Sequence, residues 1–169
     1  WLVGVPTMLT LLLMHPLLSE TDLSQLRLIV VGGSNVEPAL LSRIQQLFPG
    51  VAIMNLYGLS ETSGAIVMTP WQASQEALLQ SIGKPLAGAE MRVAGLDGAA
   101  LPTGEVGELW FRGAGVIGRY VGQQQDADAF AGGWLHSGDL GCVDEQGLIY
   151  LKGRQKDMFI QGGFNVYPS

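Results

Sequence analysis

The segment Asn55–Thr62 (NLYGLSET) places an aromatic ring, a glycine, a hydroxyl and a carboxylate within a few residues of one another. The ring of Tyr57 could stack on a flat base, and the Ser60 hydroxyl could hydrogen-bond a phosphate oxygen. The carboxylate of Glu61 could bind a hard cation such as Mg²⁺. A strand-to-loop turn with polar surface residues explains the same segment, so this motif alone leaves both interpretations open.

A second polar segment, Leu135–Leu140 (LHSGDL), places Asp139 directly after a glycine, where the backbone can approach a ligand closely. A carboxylate accepts two hydrogen bonds at once, which suits the paired hydroxyls of a ribose. For an isolated Gly-Asp pair, however, an aspartate that closes a β-turn is the better interpretation.

The third segment, Gly153–Ser169 (GRQKDMFIQGGFNVYPS), carries Arg154, whose planar guanidinium is a fixed fork of donors for hydroxyls or phosphate. Gly162 and Gly163 permit a positive φ and a close approach of the backbone to a ligand. The end of a polar hairpin followed by a glycine turn would produce the same pattern.

A strand–helix–strand unit must position the first of these motifs. The apolar, branched run Leu26–Val31 predicts a buried strand of a parallel sheet, and Val51–Leu56 predicts the next strand. Parallel pairing then requires a right-handed crossover through the helix between them. Gly33 and Tyr57 would lie just past the carboxyl ends of these strands, the edge at which open α/β sheets bind ligands.

The crossover helix has recognisable start and stop signals. Ser34 and Asn35 could cap it, and Pro38 suits its first turn. Leucine, isoleucine and phenylalanine side chains recur at helical spacing across residues 40–48, and a Pro-Gly pair ends the pattern.

Short strands and turns dominate after about residue 83. The glycine-rich segment Glu105–Tyr120 is interpreted as structural, with Trp110 in the core, and residues 142–151 predict a hairpin around a glycine-containing loop. We therefore expect an α/β fold in which residues 1–83 form a parallel βαβ layer. Residues 84–155 form a β-rich subdomain packed against it.

The apolar N-terminal stretch Trp1–Leu18 is interrupted by Pro6 and Pro16, and no basic residue precedes it. A spanning helix needs about 20 apolar residues, and a signal peptide needs a positively charged start. We therefore expect no transmembrane segment and predict a buried core helix over Thr7–Met14.

Composition narrows the classes of function. The chain has 9 Lys plus Arg and a net charge of −6 without any basic cluster, which argues against nucleic-acid binding. The single cysteine, Cys142, lies in an apolar run and cannot form an internal disulfide, so we expect a buried reduced thiol. A reducing, cytoplasmic location fits this pattern.

Taken together and in this order, the motifs resemble the adenylate-forming (AMP-binding) superfamily, which includes acyl-CoA synthetases, luciferases and the adenylation domains of peptide synthetases. The resemblance covers essentially the whole chain and is carried by VPT before an apolar helix, the strand ending in Gly32-Gly33, NLYGLSET, GELWFRG, LHSGDL and GRQKD.

The resemblance implies an enzyme that converts a carboxylic acid and ATP to an acyl adenylate and pyrophosphate, with Mg²⁺ as cofactor. A thiol, commonly coenzyme A, then displaces AMP. The motif GGFNVYP is more similar to acyl-CoA synthetases than to peptide-synthetase domains. Two alternatives stay open: an acyl-AMP ligase or adenylation domain that loads a carrier protein, and a non-catalytic nucleotide-binding module. The oligomeric state is not predicted.

The resemblance also implies a binding site for the adenosine part of ATP. Tyr57 would pack against adenine, and the backbone of Gly33, Ser34 and Asn35 would line the other side of the base. Asp139 would hold the ribose hydroxyls with help from Arg154.

Further roles follow for the reacting groups. Ser60 would contact the α-phosphate, and Glu61 would be the Mg²⁺ ligand. Lys156 would be the hinge between the two half-reactions, and residues 156–169 would begin a C-terminal domain. Gly162 and Gly163 would approach the thiol's entry path.

The chain starts at Trp1 without an initiator Met and stops at Ser169 directly after a motif. We therefore expect an internal fragment that lacks the family's phosphate-binding loop and catalytic lysine and is inactive by itself. Residues 30–34 and Ile66 could line the acid pocket or simply pack the core, and their apolar character favours a fatty or aromatic acid.

Overall fold

The computed structural model describes residues 1–34, 36–121, 125–157, 159–161 and 164–166. A five-stranded sheet in the order β1-β2-β3-β4-β5 forms the first half of the chain. Its strands are β1 (Leu2–Gly4), β2 (Leu28–Gly32), β3 (Ala52–Leu59), β4 (Gly64–Met68) and β5 (Lys84–Pro85). Strands β1, β2 and β3 are parallel, whereas β4 and β5 pair antiparallel.

The predicted parallel pairing of the two apolar runs is confirmed, since Leu28 lies opposite Ala52 and Val31 opposite Asn55. The second of these strands is longer than expected. It continues through Tyr57 to Leu59 because β4, which the sequence patterns did not predict, pairs with it from the other side. Tyr57 therefore lies inside a strand and not just past its end.

Two glycines allow this sheet to form. A Cβ on Gly58, at the irregularity between β3 and β4, would lie 1.8 Å from the carbonyl oxygen of Gly64. A Cβ on Gly32 would lie 2.2 Å from the carbonyl oxygen of Leu56. Both positions therefore exclude any side chain.

Three α-helices accompany this sheet: α1 (Pro6–Met14), α2 (Pro38–Leu47) and α3 (Gln75–Gln80). Short 3₁₀ helices span Pro16–Glu20, Ser60–Thr62, Gln125–Gly133 and Gln155–Asp157. One hydrophobic cluster joins α1, α2 and α3 to the inner strands. It contains Leu9, Leu13, Ile29, Val31, Leu41, Ile44, Ile53 and Leu78.

Helix α1 agrees with the predicted helix over Thr7–Met14, but it buries only one side. Leu9 and Leu13 are buried, whereas Met8, Leu11 and Met14 are exposed. Among the helices that the structure describes, none is long and apolar enough to cross a membrane.

The start of α2 differs from the expectation. The residue that precedes its first turn is Glu37, whose side chain makes no capping hydrogen bond, so Ser34 is not the cap. Pro38 is the first helical residue, as predicted, because its restricted φ suits that position and its missing N–H costs nothing there. Asn35, the other predicted cap, lies outside the described residues.

The second half of the chain forms a four-stranded antiparallel sheet, as the β-rich prediction required. Its strands, in order, are β6 (Ala89–Ala94), β7 (Gly107–Gly113), β8 (Leu135–Val143) and β9 (Ile149–Arg154). The predicted hairpin over residues 142–151 is the β8–β9 connection. A further antiparallel pair consists of β10 (Phe159–Gln161) and β11 (Phe164–Val166). The α/β architecture with a separate β-rich part is thus confirmed.

A second hydrophobic cluster joins the two sheets. Ile66 and Val67 of β4 meet Leu109 and Phe111 of β7 there, together with Ile149 of β9. Backbone hydrogen bonds of 2.9 Å from Ile82 N–H to the Ile149 carbonyl, and from Ile149 N–H to the Gly83 carbonyl, reinforce the junction. The division of the chain at residues 83 and 84 stays a prediction.

Candidate functional site

The junction between the sheets brings together three residues from separate motifs. Asp139 of β8 is 6% exposed, and each of its carboxylate oxygens accepts one hydrogen bond. The Tyr57 hydroxyl donates to Oδ2 over 2.6 Å, and Arg154 Nε donates to Oδ1 over 2.8 Å. A buried carboxylate is costly unless it is paired in this way. The arrangement therefore anchors Asp139 in one orientation.

Strand pairing explains how these residues meet. Asp139 lies directly opposite Arg154 in the β8–β9 ladder, so their side chains leave the same face of the sheet. Tyr57 arrives from β3 of the other sheet, and its ring packs against Phe111 with centroids 5.8 Å apart. Asp139 is thus a strand residue and not the closing residue of a β-turn, which was the simplest interpretation of the Gly-Asp pair.

Tyr57 is held as a hydrogen-bond donor. Burial, reinforced by the negative charge of Asp139, raises the pKa of the Tyr57 phenol above its ordinary value. The phenol therefore keeps its proton at neutral pH and continues to donate to the carboxylate.

Glu61 lies on the 3₁₀ helix Ser60–Thr62, directly after β3. This turn is secured by Thr62, which is 2% exposed and whose hydroxyl accepts from Leu59 N–H over 2.9 Å and contacts the Gly64 carbonyl over 2.6 Å. The turn leaves Ser60 exposed and Glu61 half-buried. The Tyr120 hydroxyl donates a hydrogen bond to Oε1 of Glu61.

The donor set at Glu61 is compatible with Mg²⁺. The structure, over the residues it describes, contains no group of three or more His, Cys, Asp and Glu side chains that could hold a metal ion. Mg²⁺ commonly uses only one or two carboxylates and completes its shell with waters and substrate phosphates. Glu61 beside the exposed Ser60 hydroxyl meets that requirement.

Gly33 and Ser34 follow β2 and are exposed, and Gly33 has a φ of 83°. Gly32 pairs with Leu56, so these residues lie at the same edge of the first sheet as Tyr57. Lys156 is exposed in the short 3₁₀ helix after β9. The three remaining site residues predicted from the sequence, Asn35, Gly162 and Gly163, lie outside the described residues.

Val31 and Ile66, two of the residues proposed for the acid pocket from their apolar character, lie in the hydrophobic clusters. Val31 is 0% exposed and Ile66 is 4% exposed, so both contribute to core packing. Cys142 is a free, half-buried cysteine in β8.

Trp110 corrects another expectation, because it does not belong to the core. Its neighbours Leu109 and Phe111 are buried, whereas Trp110 is half-buried on the opposite, outer face of β7. The ring stacks on His136 at 3.6 Å, and the Arg92 guanidinium lies 4.4 Å from its centroid on the same face. The signal that could have predicted this is the polar pair Glu108 and Arg112, which lie two positions before and after Trp110 and therefore share its face of the strand.

Sequence reasoning also missed Tyr120 and Thr62. Tyr120 had no recognisable motif role, and its partner Glu61 is 59 positions away. Thr62 belongs to the first motif, but its buried position inside the turn gives it a structural role that composition does not reveal.

Comparison with known proteins identifies relatives along the whole chain. The model of the "AMP-binding enzyme" family matches residues 1–121. Feruloyl-CoA synthase of an Amycolatopsis species is 37% identical over 98% of this chain and 33% of its own length. Fatty acid–[acyl-carrier-protein] ligase ScoC of Streptomyces coeruleorubidus is 34% identical over 98% of this chain and 32% of its own length.

The fold is shared with solved structures. O-succinylbenzoate coenzyme A synthetase (MenE) of Bacillus subtilis, in complex with ATP and magnesium ion, superposes with a TM-score of 0.83 at 34% identity. The match covers 98% of this chain and 34% of MenE. The chain thus spans about a third of the length of the relatives it matches.

Proposed function

The chain belongs to the AMP-binding enzyme family, and we propose that its full-length form is an ATP-dependent acid–thiol ligase that makes acyl-coenzyme A through an acyl adenylate. The observation that carries this proposal is the anchored Asp139 carboxylate, which three separate motifs position at the junction of the sheets. Two carboxylate oxygens in a fixed orientation, each with a further lone pair, suit the two neighbouring hydroxyls of a ribose.

The nucleotide roles follow from this placement. Asp139 would accept hydrogen bonds from the ribose, and Arg154 would donate to a ribose or phosphate oxygen through the guanidinium nitrogens that do not face Asp139. The adenine would lie between Tyr57 and the backbone of Gly33–Asn35. The shared edge of β2 and β3 supports this assignment, because open α/β sheets bind ligands there.

The first half-reaction is a displacement at the α-phosphorus of ATP. A carboxylate oxygen of the acid attacks that phosphorus, the bond to the bridging oxygen breaks, and pyrophosphate leaves. Ser60 would donate to the α-phosphate, and Glu61 would hold Mg²⁺, which when bound neutralises phosphate charge. In the second half-reaction the thiolate of coenzyme A attacks the acyl carbon, and AMP leaves.

Lys156 would be the hinge between these half-reactions, with Gly162 and Gly163 beside the thiol path. Its exposed position, directly after the strand that carries Arg154, supports this role, because little packing opposes a change of backbone conformation there. The acid would be fatty or aromatic. The feruloyl and fatty-acid relatives support that class, whereas the described residues offer no pocket assignment.

Transfer to a carrier protein is the second candidate, because a relative of nearly equal similarity is an acyl-carrier-protein ligase. The test uses the full-length natural chain. We expect acid-dependent exchange of pyrophosphate into ATP with ferulate or a long-chain fatty acid, little exchange with acetate, and release of acyl-coenzyme A. Acylation of a carrier protein alone would favour the second candidate, and ATP binding without any exchange would indicate a non-catalytic module.

A further inference from the structure

The chain returns from the end of β7 across the short 3₁₀ helix that carries Glu61. The backbone N–H of Ile117 donates to the Glu61 carbonyl over 2.8 Å, and the Val116 side chain packs against the cluster between the two sheets. The segment after Gly113 is therefore attached both to the core and to Glu61 itself.

Tyr120, at the end of that segment, contacts the side chain of Glu61. Its hydroxyl donates to Oε1 of Glu61. Its ring packs edge-to-face against Phe130, with centroids 5.5 Å apart and an interplanar angle of 61°. Because the ring is packed, the direction in which the hydroxyl points is restricted. Glu61 is thus held through its backbone by Ile117 and through its carboxylate by Tyr120.

A glutamate on a short, half-exposed turn would otherwise sample several rotamers. Ordering such a side chain costs up to about 2 kcal/mol, and a cation that binds to it must supply that free energy. One hydrogen bond to Oε1 restricts the orientation of the carboxylate, and it leaves Oε2 for a cation because a carboxylate offers about four lone-pair sites. Hydrogen-bond partners of metal-ligating carboxylates act in this way in many metal sites.

We propose that Tyr120 is a positioning residue that orients the Glu61 carboxylate for the divalent cation that accompanies ATP. This inference rests on the proposed function, in which Glu61 is the Mg²⁺ ligand. The competing interpretation is that Tyr120 only ties the segment after β7 to the turn after β3, with no effect on the cation.

The test is a calorimetric titration of the full-length natural chain with ATP, in Mg²⁺ and again in EDTA, without any acid so that no adenylate forms. The ratio of the two affinities measures how much Mg²⁺ contributes. For Tyr120→Phe, which keeps the ring contact with Phe130, we expect this ratio to fall about tenfold while the affinity in EDTA stays unchanged. Tyr150→Phe is the matched control, because the Tyr150 hydroxyl donates to Asp144 over 2.9 Å in the β8–β9 turn.

The variant Glu61→Gln distinguishes the Mg²⁺ role proposed for Glu61 from the positioning role proposed for Tyr120. If Glu61→Gln keeps the wild-type ratio, the Mg²⁺ assignment in the proposed function is wrong. If Glu61→Gln removes the Mg²⁺ contribution while Tyr120→Phe matches Tyr150→Phe, the positioning role is overturned. Equal losses by Tyr120→Phe in Mg²⁺ and in EDTA would also overturn it, because they indicate a structural role.

Should Tyr120→Phe unfold below the assay temperature, Phe130→Leu replaces it in the same titration. This change removes the ring against which Tyr120 packs and leaves its hydroxyl. We expect a smaller fall in the Mg²⁺ ratio, with the affinity in EDTA again unchanged. A wild-type ratio in Phe130→Leu would contradict the positioning role.

Discussion

The two faces of β8 use different physical means to hold their side chains. On the inner face, toward the first sheet, Asp139 is nearly fully buried and receives one hydrogen bond at each oxygen. On the outer face, His136 is half-buried and stacks on the Trp110 ring. Since side chains alternate between faces of a strand, residues only three positions apart serve these two environments.

The outer face is a continuous stack of aromatic rings and guanidinium groups. The Arg92 guanidinium lies 4.4 Å from the centroid of the Trp110 ring and 4.6 Å from that of the Trp134 ring. The Arg112 guanidinium lies 4.4 Å from the centroid of the Trp134 ring. Two buried nitrogen atoms on this face, Arg92 Nε and His136 Nε2, have no hydrogen-bond partner among the described residues. Stacked area holds most of the outer face, together with a hydrogen bond from Trp110 Nε1 to Glu108 Oε2 over 2.7 Å and an exposed ion pair between Arg112 and Glu90. On the inner face, hydrogen bonds to a buried carboxylate hold the side chains.

Because the two faces are held differently, substitutions on them should separate nucleotide binding from stability. A change on the inner face alters specific donors and acceptors, and should weaken nucleotide binding more than folding. A change on the outer face removes stacked area, and should weaken folding without affecting the nucleotide. Three substitutions in the full-length natural chain, from the largest expected effect to the smallest, and one pH titration test that separation.

Asp139→Ala should lower ATP affinity the most. It removes the acceptor proposed for the ribose hydroxyls and leaves the Tyr57 hydroxyl and Arg154 Nε without their partner. Hydrogen bonds to charged groups contribute about 1.5–3 kcal/mol, so affinity should fall by roughly ten- to a hundredfold. Calorimetric titration measures this, with Asp97→Ala, in the exposed turn after β6, as control. Unchanged ATP affinity in Asp139→Ala would mean that the inner face of β8 is not part of the nucleotide site.

Trp110→Leu should act on folding alone. Trp110→Leu removes the stack on His136, the contact with Arg92 and the hydrogen bond from Nε1 to Glu108. It should lower the free energy of unfolding by at least about 1–2 kcal/mol, because aromatic and cation–π pairs contribute about 0.5–1.5 kcal/mol each and the lost hydrogen bond adds to this. ATP affinity should equal that of wild type. Denaturant unfolding and calorimetry together measure the two quantities, and Trp71→Leu, at a tryptophan that is 55% exposed, is the control. A loss of ATP affinity would show that the two faces are coupled.

Tyr57→Phe should have a smaller effect than either change. The ring contact with Phe111 remains, and only the hydroxyl that orients Asp139 is lost, so ATP affinity should fall by about fivefold, or roughly 1 kcal/mol.

The pKa of Tyr57 adds a pH test. Because that pKa is raised, the phenol stays protonated through the ordinary tyrosine pKa of about 10, and wild-type ATP affinity should not fall as pH approaches that value. A fall in ATP affinity centred near pH 10 that is absent in Tyr57→Phe would contradict this, because it would mean that the Tyr57 phenol loses its proton near the ordinary tyrosine pKa of about 10.

Local patterns sufficed for the elements that bury one continuous apolar run. Strand β2, helix α1 and the β8–β9 hairpin were predicted correctly, because hydrophobic periodicity and turn residues report directly on the burial of each segment. The end of β3 was not predicted correctly, because the length of a strand depends on its pairing partners. Strand β4, which follows β3 in the chain, pairs with it and extends it to Leu59. Trp110 was misassigned although its face was indicated by the local alternation; what the local pattern does not contain is its stacking partners, Arg92 and His136, which lie opposite it on two other strands.

By itself, the sequence determined the family, because the motifs occur along the chain in family-like order. Only the tertiary structure decided which of them meet. The bond from Tyr57 to Asp139 joins residues 82 positions apart, and the bond from Tyr120 to Glu61 spans 59. Such contacts depend on how two sheets pack and on which face of a strand a residue occupies. A residue's type and its local pattern define what it can donate or accept, whereas its partner is defined by the packing of distant segments.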